Sequence, residues 1–139
     1  KNTLDGNYRS IYLPIMRSFV PQILQTFDFA EPSMVKGNRD VTTVPTQALY
    51  LMNNPFVHRQ SRNLARTLME QDGLTNADRI ELAYKLALSR TPTTFESIRS
   101  LTYLKSFQDK KENGSNPDLN ALASLCHALF SVAEFRYLN

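Results

Sequence analysis

Arg39, Asp40, Thr42, Thr43 and Gln47 crowd into the stretch RDVTTVPTQ, and this is the one place where side-chain types suited to ligand chemistry gather. A guanidinium is a fixed fork of donors, and with neighbouring amides and hydroxyls it could cradle an anion or a sugar. The same types also begin helices. Asp40 and the threonines can accept from the orphan N–H groups of a first turn, Arg39 can pair with a carboxylate such as Asp28, and Gln47 can satisfy groups inside the fold. Any loop that feeds a helix needs such groups, so the architectural reading is preferred and ligand binding at these five residues is the alternative.

Other candidate chemistry resolves more simply. Cys126 and His127 form the ending of a haem-attachment motif, but covalent attachment needs two cysteines before the histidine, and Ala123, Ser124 and Leu125 supply none. Neighbours on a helix point about 100° apart, so this pair cannot chelate a metal without distant partners, and His58 is the only other histidine. A buried core thiol is the preferred reading of Cys126. Arg59, Arg62 and Arg66 share one helix face and could track phosphates, but aromatic interleaving is missing and Glu70 and Asp72 close the same helix, so a solvated face is favoured over nucleic-acid binding. Asp78 and Glu81 lie one turn apart at a helix start, where acids suit the dipole. With no Gly-x-Ser-x-Gly, His-Glu-x-x-His or glycine-rich phosphate loop, no catalytic residue, metal site or cofactor is expected in this chain.

The elements that must hold these residues follow from pattern and punctuation. The 139 residues suit one hydrophobic core, with 42% apolar and 21% charged residues and no low-complexity run. A net charge of +3 is mild for a nucleic-acid binder, and the longest uncharged apolar stretch, Leu119 to Ala133, falls short of the roughly 20 residues of a membrane span. One cysteine leaves the compartment open. The N-terminus has no signal-peptide pattern and starts at Lys1 rather than methionine, so the chain reads as a piece of a longer polypeptide.

RSIYLPIMRSF alternates apolar residues around Pro14 and reads as an extended arm or short strand. Pro21 opens a short helix with Ile23, Leu24 and Phe27 on one face, and EPSMVKGNRD is loop. A helical run from Pro45 carries Ala48, Leu49, Leu51 and Met52. Asn54 followed by Pro55 is an N-cap and first position for a helix to about Gln71 that buries Val57, Leu64, Ala65 and Leu68, with Gly73 ending it. Thr75 with Asp78, and Thr93 with Glu96, have capping-box spacing before two more helices. The second draws its apolar face from Ile98, Leu101, Leu104 and Phe107, with Gly114 at its C-terminal cap. Asn116 and Pro117 open a last helix whose stripe from Leu119 to Tyr137, widened by Leu125 and Val132, should be the centre of the bundle.

The ordered segments RSIYLPIMR, FDFAEP, RDVTTVPTQALYLMNNPFV, LALSRTPT and LCHALFSVAEFRYLN resemble a planctomycete-type domain family of unknown function. That family forms the C-terminal part of large exported proteins that often also carry a cytochrome c module. The resemblance implies an extracytoplasmic module, whether periplasmic or at the cell surface, partnered by other domains of its own parent chain, with any haem in another module. The family's motif positions fall on Arg39, Thr43, Pro45, Gln47, Asn54, Pro55 and Phe56, none with an assigned role.

The expectation is an all-α fold of about five helices in an irregular bundle. One helical domain spans 1–139, with 1–38 as arm, short helix and loop and 39–139 as the helical core. It acts as a non-catalytic packing or protein-interaction module, with carbohydrate or anion binding, or part of an enzyme site, at Arg39 to Gln47 as the alternative. The expected partners are protein domains, with a polysaccharide possible through that alternative, and neither nucleic acid nor a membrane span.

Overall fold

The computed structural model of the chain describes residues 12, 15–16, 20–29, 45–108 and 116–136. Among the described residues there are seven α-helices, and the five of nine residues or more make the fold all-α: α2 (Pro45–Asn53), α3 (Pro55–Met69), α4 (Asn76–Leu88), α5 (Thr94–Gln108) and α6 (Pro117–Ser131). The short ones are α1 (Gln22–Thr26) and α7 (Ala133–Arg136). No helix among the described residues is long and apolar enough to cross a membrane. The chain divides into two compact units, residues 1–50 and 51–139.

In the first unit, Pro21 precedes α1 as its N-cap, one position earlier than a first-turn proline, and Leu24 is its buried residue. Phe27 meets Tyr50 edge to face, with ring centroids 5.6 Å apart, a geometry the ring quadrupoles favour. Burial pushes the Tyr50 hydroxyl pKa upward. Of the expected extended arm, only Tyr12, Ile15 and Met16 are described, and Met16 sits in an isolated β-bridge. The loop from Glu31 and the expected cap at Gly114 lie outside the described residues.

The second unit holds the main core, built on α3 to α6. The Asn54 side chain accepts the Phe56 N–H at 2.8 Å, and Pro55 fills the first position where no donor is needed. Val57, Ser61, Ala65 and Leu68 then fall at intervals of four, four and three residues and are all buried, the stripe a 3.6-residue repeat sets against a neighbour. Ser61 and Ala65 are small, so α6 packs closely with Leu122, Leu125, Cys126 and Leu129 facing the core. Ile80, Ala83 and Tyr84 of α4 and Leu104 of α5 complete the cluster. Each fully buried Leu or Ile contributes about 1.5–3 kcal/mol relative to exposure.

Caps set the turns between these helices. Thr75 and Asp78 form a reciprocal capping box, with the Thr75 N–H donating to the Asp78 carboxylate at 2.8 Å and the Asp78 N–H to the Thr75 hydroxyl at 3.3 Å. Thr93 and Glu96 repeat it at 2.7 and 3.3 Å. Ser89 ends α4 in the left-handed region at φ 57°, and Gly73 turns the chain after α3 at φ 80°.

Two expectations need correction. Ile98 does not join the α5 core face: it is 60% exposed, while Leu104 is 5% exposed. Steps of three residues fall about 60° short of a full turn, so Ile98 lies about 120° round the helix from Leu104, and the buried Ser100 takes the inward position. The last helix does not continue to Tyr137 either. α6 stops at Ser131, whose hydroxyl donates back to the His127 carbonyl at 2.9 Å, and Val132 is extended at φ −74°, ψ 154° and 39% exposed. Side-chain competition for backbone acceptors of this kind weakens a helix locally. The break turns the chain into α7.

Candidate functional site

Of the residues singled out for ligand chemistry, Arg39, Asp40, Thr42 and Thr43 lie outside the described residues. Gln47 is described, and it is buried at 5% exposure with its Nε2 donating to Asp28 Oδ2 at 3.3 Å. Asp28 is the carboxylate that the sequence offers as a partner for Arg39. Gln47 is therefore an interior amide hydrogen-bonded to an acid.

Cys126 is fully buried and desolvation pushes its thiol up to about 12, so it carries no thiolate at neutral pH. His127 points away from Cys126 and meets His58 of α3, with the two rings 4.1 Å apart at 34°. Its Nε2 lies 3.0 Å from the Leu51 carbonyl; a carbonyl can only accept, so this nitrogen carries the proton. Among the described residues no group of three or more His, Cys, Asp or Glu side chains could hold a metal ion. Arg59, Arg62 and Arg66 are all exposed, Arg66 reaching Asn63 at 3.3 Å. The two acids at the start of α4 are divided, Asp78 serving the capping box and Glu81 pairing with Lys85 at 2.7 Å.

Arg90 is the residue that sequence reasoning passed over. It follows α4 in the SRTPT turn, and its Nη1 and Nη2 donate to the two Glu96 oxygens at 2.9 and 2.8 Å. Its Nε and Nη2 also donate to Glu134 at 2.5 and 2.9 Å, and its guanidinium carbon stands 5.5 Å from the centre of the Tyr84 ring. Hydrogen bonds to Glu96, then to Glu134, raise the Arg90 pKa, and those from Arg90 hold Glu96 down to about 2 and lower Glu134. A single guanidinium thus ties the end of α4, the capping box of α5 and α7. An arginine in a turn between two helices, with a capping-box glutamate six residues on, is the signal that could have found it.

Beside this tie lies an open cleft of about 550 Å³ between α5 and α6. Leu125, Ala128, Leu129 and Val132 form one wall, Phe95 and Tyr103 the other, and Tyr84 one end. Across it the Tyr103 hydroxyl donates to Ser124 Oγ at 2.8 Å. A shallower cleft of about 390 Å³ runs along the outer side of α5 past Phe95, Ile98, Thr102 and Tyr103. Arg99 lines both clefts, is exposed, and makes no side-chain ion pair or hydrogen bond among the described residues. The α5–α6 cleft offers apolar area with Arg99, the Arg90-held Glu96 and a few hydroxyls, a composition of the kind found in binding grooves.

Residues 1–104 match the family model described as PSD1, Protein of unknown function (DUF1553). The matched part ends within α5, and α6 follows it in the chain. No curated protein and no solved structure matches the chain.

Proposed function

The chain belongs to the PSD1 family of proteins of unknown function (DUF1553), and from that premise we propose that it serves as a non-catalytic packing and protein-interaction module. One observation carries the reading: α5 is apolar on two sides. Leu101, Leu104 and Phe107 pack toward the core, while Phe95, at 70% exposure, and Ile98, at 60%, stand on the outer side above the two clefts. Single exposed apolar residues are ordinary, but a run of them along one helix beside a groove marks a surface that another protein covers. Beside it Arg90, Glu96 and Glu134 are engaged with one another, and Arg99, which lines both clefts, is exposed.

The setting we propose for this module is a large extracytoplasmic multidomain protein of planctomycete type, in which other domains of the same parent chain are the partners and haem, where cytochrome c modules are present, lies in those modules. This part rests on the order of the five sequence segments. In the same reading the stretch from Arg39 to Gln47 is architecture, which the buried Gln47–Asp28 hydrogen bond supports.

Site-specific photo-crosslinking tests the proposal. A benzophenone side chain placed at exposed apolar positions 52, 86 and 98, and at the polar position 63 as control, should give crosslinks to a defined protein segment from at least one apolar position and none from the control. Crosslinks from no apolar position, in cells that make the whole parent protein, would remove the interaction reading.

A further inference from the structure

We infer that the outer face of α5 and the adjoining α5–α6 cleft receive an acidic amphipathic helix of a partner domain or protein. The inference rests on the interaction-module reading and goes beyond it by fixing the place and chemistry of the occupant. The shape favours a helix. Phe95, Ile98, Thr102 and Tyr103 recur at i, i+3, i+7 and i+8, so the strip runs about 12 Å along α5 at 1.5 Å per residue. It borders a cleft walled by two helices. A groove between helices is filled by the side-chain ridge of a third, and recognition of this kind is read through apolar anchors at i, i+3 or i+4, and i+7.

Charge decides between occupants. Glu96 is the sole acid of α5, and Arg90 already holds both of its oxygens. The helix is left with Arg99 and Lys105, both exposed and without a side-chain ion pair or hydrogen bond among the described residues. A second copy docked two-fold on this face would bring these cations of one α5 toward those of the other. An antiparallel pair centred on residue 102 sets Arg99 opposite Lys105, and a pair centred on residue 99 sets Arg99 against itself. Like charges facing each other oppose such a dimer, whereas a helix with Asp or Glu beside its apolar stripe satisfies Arg99 at the rim. The Tyr103–Ser124 pair gives the cleft hydroxyls that a peptide side chain can reach.

The test uses the whole 139-residue chain and a fluorescein-labelled synthetic peptide of about 18 residues, long enough for helix formation on a surface. The peptide carries Leu at i, i+3, i+4 and i+7 repeats with Glu on the flanking positions, and a second peptide carries Lys in place of Glu. Fluorescence anisotropy should show saturable binding of the Glu peptide that weakens with salt, with the Lys peptide about tenfold weaker or more. Ile98→Asp should abolish binding, and Arg99→Glu should reverse the preference between the two peptides; circular dichroism checks that both variants fold. The inference is overturned if neither peptide binds the folded chain, or if binding survives both substitutions. It is also overturned if light scattering shows a dimer that Ile98→Asp dissociates, since the face would then belong to a second copy. Crosslinks that persist at positions 52, 86 or 98 when peptide binding fails would remove the acidic-helix occupant alone and leave the interaction module standing.

Discussion

Arg90 donates through Nε and Nη2 to the carboxylate of Glu134, a residue 44 positions further along the chain. The same guanidinium holds Glu96 in a two-pronged contact, so the turn after α4, the start of α5 and α7 share one cation. The side chain is about a third exposed, and water therefore weakens each contact relative to a buried pair. Replacing Arg90 by Ala should destabilise the fold by about 1–2 kcal/mol, and Lys should recover only part of it because a point charge cannot serve two carboxylates with a planar fork. Chemical denaturation of the three proteins reads this directly.

The arrangement also sets an acid limb for stability. Glu96 is lowered from an ordinary value of 4.5 to about 2, chiefly by its hydrogen bonds from Arg90, and Glu134 is lowered by the same residue. A carboxylate whose folded pKa is depressed contributes fully above its unfolded value and loses that contribution as pH falls toward the folded one. Stability should therefore decline between about pH 4.5 and 2, and Arg90→Ala should make this decline shallower. Melting temperature measured across that range for both proteins checks the sign.

Two backbone positions should respond in opposite directions. Gly73 adopts φ 80°, and a Cβ there would meet nothing within 4 Å, so Gly73→Ala should cost about 1 kcal/mol from the left-handed backbone alone. Ser89 already bears a Cβ at φ 57°. Ser89→Gly should raise stability by roughly 0.5–1 kcal/mol, the gain in relieved strain exceeding the entropy of the added freedom. Paired unfolding curves test both.

Cys126 should be silent until the fold opens. It is fully buried and its thiol is pushed up to about 12. Labelling with Ellman's reagent at pH 8 should proceed only at the rate of unfolding, and urea should release one thiol per chain. Prompt labelling of the native protein would contradict this placement.

Much of the fold is legible in the sequence because its punctuation is local. The Asn54–Pro55 start, both capping boxes, the Asn116–Pro117 start and the turn at Gly73 depend on residues within one helical turn of each other. What was not legible depends on distance. The Arg90–Glu96 half of the tie has a local spacing, but the other half forms only when α7 brings Glu134 to it. His58 and His127, the two histidines of the sequence, meet only because α3 and α6 pack face to face. Ile98 reads as core by its spacing from Leu101, yet the helix carries more apolar residues than one face can bury. The interior position of Gln47 could be read from its neighbours, but its partner Asp28 could not.

The outward apolar face of α5 is the centre of this account, and one comparison of melting temperatures tests it most directly. Ile98→Asp and Leu104→Asp place the same charge on the same helix, one on the exposed side and one at a residue that is 5% exposed. The expected result is a change within about 0.5 kcal/mol for Ile98→Asp, as for other surface positions, and a loss of about 3 kcal/mol or more for Leu104→Asp, where an unpaired carboxylate would enter the core. Comparable losses for both would mean that Ile98 is packed within the chain's own fold, and the outer face would not be free to meet a partner.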